Sequence, residues 1–116
     1  MHELSVCQAM IDQIENLVVQ HRARYVEAVD VEIGELSGID AGLFADAFSI
    51  MKEGTCAESA ILNARPLPPW VQCIECNQRT ATRANHLVCG SCGGYRVTVV
   101  QGNELRLRNV KLNIGN

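Results

Sequence analysis

Two pairs of cysteines restrict this chain more than any other feature. Cys73-Ile-Glu-Cys76 and Cys89-Gly-Ser-Cys92 are each a Cys-x-x-Cys, with twelve residues between the pairs. Two residues between paired cysteines let a tight knuckle aim both sulfurs at one ion, and two knuckles supply a closed tetrahedron with Zn–S distances of about 2.3 Å. Four thiolates leave no open position, so a metal held this way is structural. The spacer is shorter than the roughly fifteen to twenty residues usual for the pattern, but both halves are intact. A disulfide framework would suit a secreted chain, whereas Met1-His2-Glu3-Leu4 opens no basic region, apolar run or cleavage site. Cytosolic thiols stay reduced, which favours metal over disulfide and sets the expected location as cytoplasmic. A thioredoxin-like redox pair needs one Cys-x-x-Cys beside a βαβ pattern, not two spaced like ribbon knuckles.

The rest of the chain must supply what such a clamp stabilises. Of 116 residues 47% are hydrophobic, enough for a core, but only 4% are aromatic, so that core is aliphatic and modest. Bound zinc contributes on the order of 10 kcal/mol to a small lobe, which would offset the shortfall. No apolar run reaches the roughly twenty residues of a membrane span. The net charge of −3 is unevenly spread: residues 1–68 hold eleven acids against Arg22, Arg24, Lys52 and Arg65, while residues 69–116 carry an excess of +4. An acidic front half argues against nucleic acid as the main ligand and suits a cation or a basic partner surface.

After the first three residues, Cys7, Met10, Ile11, Ile14, Leu17, Val18 and His21 recur at helical spacing, with Asp12, Gln13, Glu15, Asn16 and Gln20 opposite. Cys7 on that stripe reads as a small core residue. Val29, Val31 and Ile33 then alternate with Asp30, Glu32 and Gly34, a strand with one buried face inside residues 25–36. Asp40 is placed to cap a second helix whose apolar face is Leu43, Phe44, Ala47, Phe48 and Met51, terminated by Gly54. Cys56 follows as an incidental loop thiol. A second strand is expected over residues 59–65, ended by Pro66, Pro68 and Pro69. Trp70 opens the metal lobe, in which Gly90, Gly93 and Gly94 would allow positive φ around the second knuckle. Residues 97–100 and 104–112 read as strands, the latter with a bulge near Asn109. That last strand is too apolar for a lone zinc ribbon, so it is expected to return to the first sheet. The resulting expectation is a small α/β (α+β) domain, two helices on a three-stranded sheet, formed by residues 1–69 plus 103–116, with a zinc-ribbon lobe of residues 70–102 inserted.

The amino terminus offers a second metal site. The α-amine of Met1, the deprotonated His2 amide and the His2 imidazole close a five- and a six-membered chelate ring on one ion, and nitrogen donors in a plane suit Ni(II) or Cu(II) better than zinc. Glu3 could supply a further donor. Taken alone, a His at position 2 is as readily an ordinary terminal residue.

Met1-His2-Glu3-Leu4-Ser5, the early helix, the strand Val29-Asp30-Val31-Glu32-Ile33-Gly34 and the two knuckles together closely resemble the HypA/HybF family of nickel-insertion accessory proteins. The resemblance spans nearly the whole chain, with Leu4 where the family commonly has Met. It implies that His2, with Met1 and Glu3, binds Ni(II) as transferred cargo, and that Cys73, Cys76, Cys89 and Cys92 hold structural Zn(II). It further implies delivery of nickel to the large subunit of nickel-iron hydrogenase, together with a HypB-type nickel-binding GTPase, with urease maturation factors as partners in some relatives.

Two other classes compete. A zinc ribbon that binds nucleic acid would want a denser basic groove and stacking platforms than Arg79, Arg83 and Arg96 beside Trp70 and Tyr95 provide. An enzyme would want a nucleophile with its base, a phosphate-binding glycine loop or an open zinc pattern, and none occurs. His21 reads as a core-edge residue, His86 as a loop residue, and Glu32, Glu35, Asp40 and Asp46 as solvated acids or caps. Neither nucleic acid nor a membrane is an expected partner.

Overall fold

The computed structural model describes residues 2–115. Its elements are α1 (His2–Gln20), β1 (Tyr25–Gly34), α2 (Ala41–Met51), β2 (Ile61–Leu67), β3 (Trp70–Cys73), β4 (Arg79–Ala81), β5 (Val97–Gln101) and β6 (Leu105–Asn113). α1 starts at His2 rather than after Glu3, so His2 and Glu3 are already helical. Cys7, Met10, Ile11 and Ile14 are its buried stripe, and Gln8, Asp12, Gln13, Glu15 and Asn16 face solvent. The helix closes without glycine. Arg22 takes φ 53°, its N–H donates to the Val19 carbonyl at 3.3 Å, and the Ala23 N–H donates to Val18 O at 2.9 Å. That pair of bonds is the Schellman closure, which satisfies carbonyls the helix end would leave bare.

α2 begins as the sequence predicts. Asp40, in an extended conformation, accepts the Leu43 N–H on Oδ1 at 3.0 Å. A cap of this kind is worth about 1 kcal/mol. Phe44, Ala47 and Phe48 are buried, and α2 packs against α1.

β1 is the middle strand of a sheet ordered β2-β1-β6. The last strand therefore does return to the first sheet. β2 runs through Pro66 to Leu67 instead of ending before the prolines. It lies at the sheet edge, where a residue without an N–H breaks no ladder. The second sheet, β4-β3-β5, is antiparallel on both sides of β3 and was only half legible, since β3 and β4 are too short to show a period.

Contacts divide the chain into two compact units: Met1–Val31, Asp40–Arg65 and Leu107–Asn116 make one, Glu32–Ile39 and Pro66–Arg106 the other. The first has the larger core, with Val26, Val29, Phe44 and Phe48 beside the α1 stripe; the second buries Ile33, Leu67, Val71, Cys73 and Cys89. In the second unit, Gly34 N–H donates to Glu104 O at 2.8 Å, Leu36 N–H to Gly102 O at 2.8 Å, and Glu35 N–H to Leu67 O at 3.0 Å. These bonds tie residues 34–36 to the segments that enter and leave the cysteine-bearing part.

Candidate metal centre

Each knuckle is built by the same backbone device. Cys73 ends β3, and its N–H donates to Gln78 O at 2.9 Å; Cys89 N–H donates to Gly94 O at 2.8 Å. Within each loop the residue after the second cysteine turns left-handed: Asn77 at φ 61° and Gly93 at φ 76°. Asn is among the few residues that accept this conformation, and Gly does so without penalty. Of the three glycines expected to need positive φ here, only Gly93 does.

The folded-back loops point amide hydrogens at sulfur. Cys76 N lies 3.4 Å from Cys73 Sγ, while Ser91 N and Cys92 N lie 3.3 Å and 3.5 Å from Cys89 Sγ. Thr80 on β4 supports the second loop, accepting the Gly90 N–H on its hydroxyl at 2.7 Å. Thr80 was not anticipated, because β4 was not.

The four sulfurs come together. Cys73 and Cys92 Sγ are 3.6 Å apart, Cys76 and Cys89 Sγ 3.5 Å, and all four lie within 4.8 Å of one another. A tetrahedron with Zn–S bonds of about 2.3 Å has S–S edges of about 3.8 Å, so this set is already near the size a metal ion requires. All six cysteines are free thiols. The N–H groups of Cys92 and Ser91 hold the Cys89 thiol down to about 6. Cys73 is likewise lowered, chiefly by the Cys76 N–H. At Cys76 the Gln78 N–H pulls down, but burial and the neighbouring thiols outweigh it and push the group up to about 12. The arrangement therefore favours thiolates at some positions and resists four together. A cation at the centre removes that resistance, which is the fit expected of a metal-binding set.

Among the described residues these four cysteines are the group with metal-ligand geometry, and His21 and His86 are not part of it. His86 sits on a turn, its N–H donating to Arg83 O at 3.0 Å. Cys7 is fully buried, and burial raises its thiol above the ordinary value.

Met1 and the side chain of His2 lie outside the described residues. Glu3 is described, and its carboxylate accepts the Asp40 N–H at 3.1 Å, joining the first turn of α1 to the cap of α2. The sequence marked both residues but not their pairing.

A family profile described as hydrogenase/urease nickel incorporation, metallochaperone HypA, matches residues 1–112. The chain belongs to the HypA family. It is 38% identical over 112 residues to the hydrogenase maturation factor HypA of Nitrosospira multiformis, covering 97% of each chain. It is 31% identical to that of Aquifex aeolicus, covering 98% of this chain and 99% of the relative. Among solved structures, the nickel metallochaperone HypA of Helicobacter pylori superposes with a TM-score of 0.76 at 30% identity, covering 97% of this chain and 98% of that one. Another HypA solution structure gives 0.78 at 32%, covering 99% and 98%. This HypA-family chain is thus a metallochaperone of nickel incorporation and not an enzyme. No helix of the described residues is long and apolar enough to cross a membrane.

Proposed function

We propose that this chain carries Ni(II) on its amino terminus, through Met1, His2 and Glu3, and delivers it in the cytoplasm to the large subunit of nickel-iron hydrogenase. A HypB-type nickel-binding GTPase is its working partner. Cys73, Cys76, Cys89 and Cys92 hold zinc, which shapes residues 70–102 as a zinc-binding domain. The family's description also covers urease, so urease maturation factors are a second set of partners.

The observation that carries this reading is where α1 begins. Because His2 and Glu3 lie in its first turn, their amide hydrogens belong to the set that has no intrahelical partner. Deprotonating the His2 amide for a planar nickel chelate therefore breaks no backbone hydrogen bond. The positive end of the helix dipole favours the resulting negative charge. Tethering of Glu3 to Asp40 holds this turn in place. A carrier also needs a ligand set that can be surrendered, and an amine-amide-imidazole chelate at a chain end can be peeled off one donor at a time. A closed four-thiolate site suits a resident ion instead.

The test is a nickel titration of tag-free, metal-loaded protein followed by d–d absorption, beside His2→Ala and a variant lengthened at the amino terminus. One square-planar site in the native protein, lost in both variants, is the expected outcome. Equal binding by all three would remove the terminus as the site.

A further inference from the structure

Thr80 in β4 and Thr82 just beyond it both meet the segment that enters the second knuckle, and their hydroxyls are used differently. Each accepts a backbone N–H from that segment, Thr80 from Gly90 at 2.7 Å and Thr82 from Val88 at 3.2 Å. A hydroxyl that accepts still has one proton to place. That of Thr82 goes to His86 O at 2.8 Å, an ordinary backbone acceptor. For Thr80 the acceptor is a metal-site sulfur: Oγ1 lies 3.9 Å from Cys89 Sγ, long even for a bond to a large, diffuse atom.

The sheet holds that hydroxyl in place. Thr80 stands opposite Val71 in the register of β3 and β4, and Val71 is fully buried two residues before Cys73. The hairpin that forms the first knuckle thus carries a side chain that reaches the second, joining the two halves of the cysteine set. Close approach is built in as well. A Cβ on Gly90 would lie 3.2 Å from Thr80 Cβ and 3.4 Å from Thr80 Oγ1, so a larger residue would press the hydroxyl from its place. Glycine is needed at position 90 for proximity, not for positive φ. The amides of Ser91 and Cys92 that approach Cys89 Sγ belong to the same loop as that sulfur and move with it. Thr80 brings a donor from a different element.

We propose that Thr80 is a positioning residue of the zinc site: through Gly90 it holds the second knuckle against β4, and its proton is donated to the Cys89 thiolate, so that bound zinc is retained. The proposal rests on the reading of the four cysteines as zinc ligands. Four thiolates around one divalent ion leave a net negative charge, and a proton directed at one sulfur draws off part of it. Outer donors of this kind commonly change metal affinity by about 10–100-fold. Retention matters in a chain proposed to carry nickel on its amino terminus, because selectivity between divalent metals rests on ligand type and geometry more than on raw affinity.

The experiment uses the full chain, loaded with zinc for affinity and with cobalt for spectroscopy, as native protein, Thr80→Val, Thr80→Ser and Thr82→Val. Zinc affinity is measured by competition with a chromogenic chelator, and the sulfur environment by the thiolate-to-cobalt charge-transfer band. Loss of a hydrogen bond raises the energy of sulfur lone pairs. Thr80→Val is therefore expected to weaken zinc binding by about tenfold and to move the band to longer wavelength. Thr80→Ser, which keeps the hydroxyl, should retain native values of both. Thr82→Val breaks the matching bonds to the same segment without touching a sulfur, and should leave the band in place. The smaller Thr80→Ala gives the same reading without setting a methyl against the Gly90 N–H, should the valine variant fail to fold. Weaker binding with an unmoved band in the Thr80 variants, or an equal band shift in Thr82→Val, overturns the proposal, because loop support would then be the whole effect. Native affinity in Thr80→Val overturns it outright. Failure of the zinc reading shows separately, as native protein that takes up cobalt without thiolate charge transfer, and removes the proposal with it.

Discussion

Gly34 shows how far a single residue's requirement can lie from its neighbours in sequence. A Cβ placed there would collide with Gly102 O and meet Gly102 C at 2.5 Å and Glu104 O at 2.7 Å. All three are backbone atoms, Glu104 O held by the Gly34 N–H and the Gly102 carbonyl by the Leu36 N–H, so none can swing aside. Gly34→Ala is therefore expected to destabilise by about 2–3 kcal/mol, as overpacked positions do. A urea melt followed at the residues of the second unit is the check, and a midpoint shifted by less than experimental scatter would show that the crossing relaxes freely. Read in sequence, Gly34 was only the solvent-side partner of Ile33. The contact that makes glycine necessary is created by a segment far along the chain, and no local pattern encodes it. The cysteines are the opposite case. Their spacing carries the whole geometric instruction, which is why four sulfurs could be placed at one point before any fold was known.

At the scale of elements, what was legible depended on whether an element stops for a local reason. α2 could be read at both ends, where Asp40 caps it and Lys52 closes it two residues before Gly54, but not wholly along its face, since Leu43, expected among the apolar contacts, is exposed while Phe44, Ala47 and Phe48 are buried. α1 could be read along its length but not at its ends. Its start was placed after Glu3, although the helix includes His2, and its finish rests on Arg22 in a conformation that sequence assigns to glycine. Arg22→Gly should consequently stabilise the protein, because the left-handed strain on a residue with a Cβ exceeds the entropic cost of glycine at such a closure. The expected gain is roughly 0.5–1 kcal/mol, or a few degrees in Tm. A calorimetric Tm equal to or below the native value would mean that Arg22 makes compensating contacts. β3 and β4 escaped notice for a different reason. With four and three residues they are shorter than any window in which alternation can be seen.

For the whole molecule, the two units differ in what holds them. The first buries both phenylalanines of the chain and the aliphatic stripe of α1, an ordinary apolar core. The second buries Ile33, Leu67 and Val71 together with two of the candidate ligands, Cys73 and Cys89. Three aliphatic side chains supply roughly 2 kcal/mol each, little against an ordering cost of about 1–2 kcal/mol for every residue fixed. An ion on four thiolates contributes on the order of 10 kcal/mol, and it also stabilises the thiolate of Cys76, a group that burial and the neighbouring thiols push up to about 12. Metal removal should therefore act on one unit far more than on the other. Trp70, the single tryptophan, stands at the start of β3 in the second unit and reports on it alone, whereas α1 and α2, both in the first, dominate the far-ultraviolet circular dichroism. Treatment with a strong chelator at neutral pH is expected to shift Trp70 emission to the red and to bring in a separate low-temperature transition. The helical signal should persist, and stoichiometric zinc should restore the native emission. Loss of both signals together would mean that the strands β1, β2 and β6, which contribute residues to both units, make folding of the first depend on the second. Unchanged emission after complete metal removal would mean that backbone bonds at residues 34–36 and the small apolar core suffice, and that the four cysteines are clamped by the fold instead of clamping it.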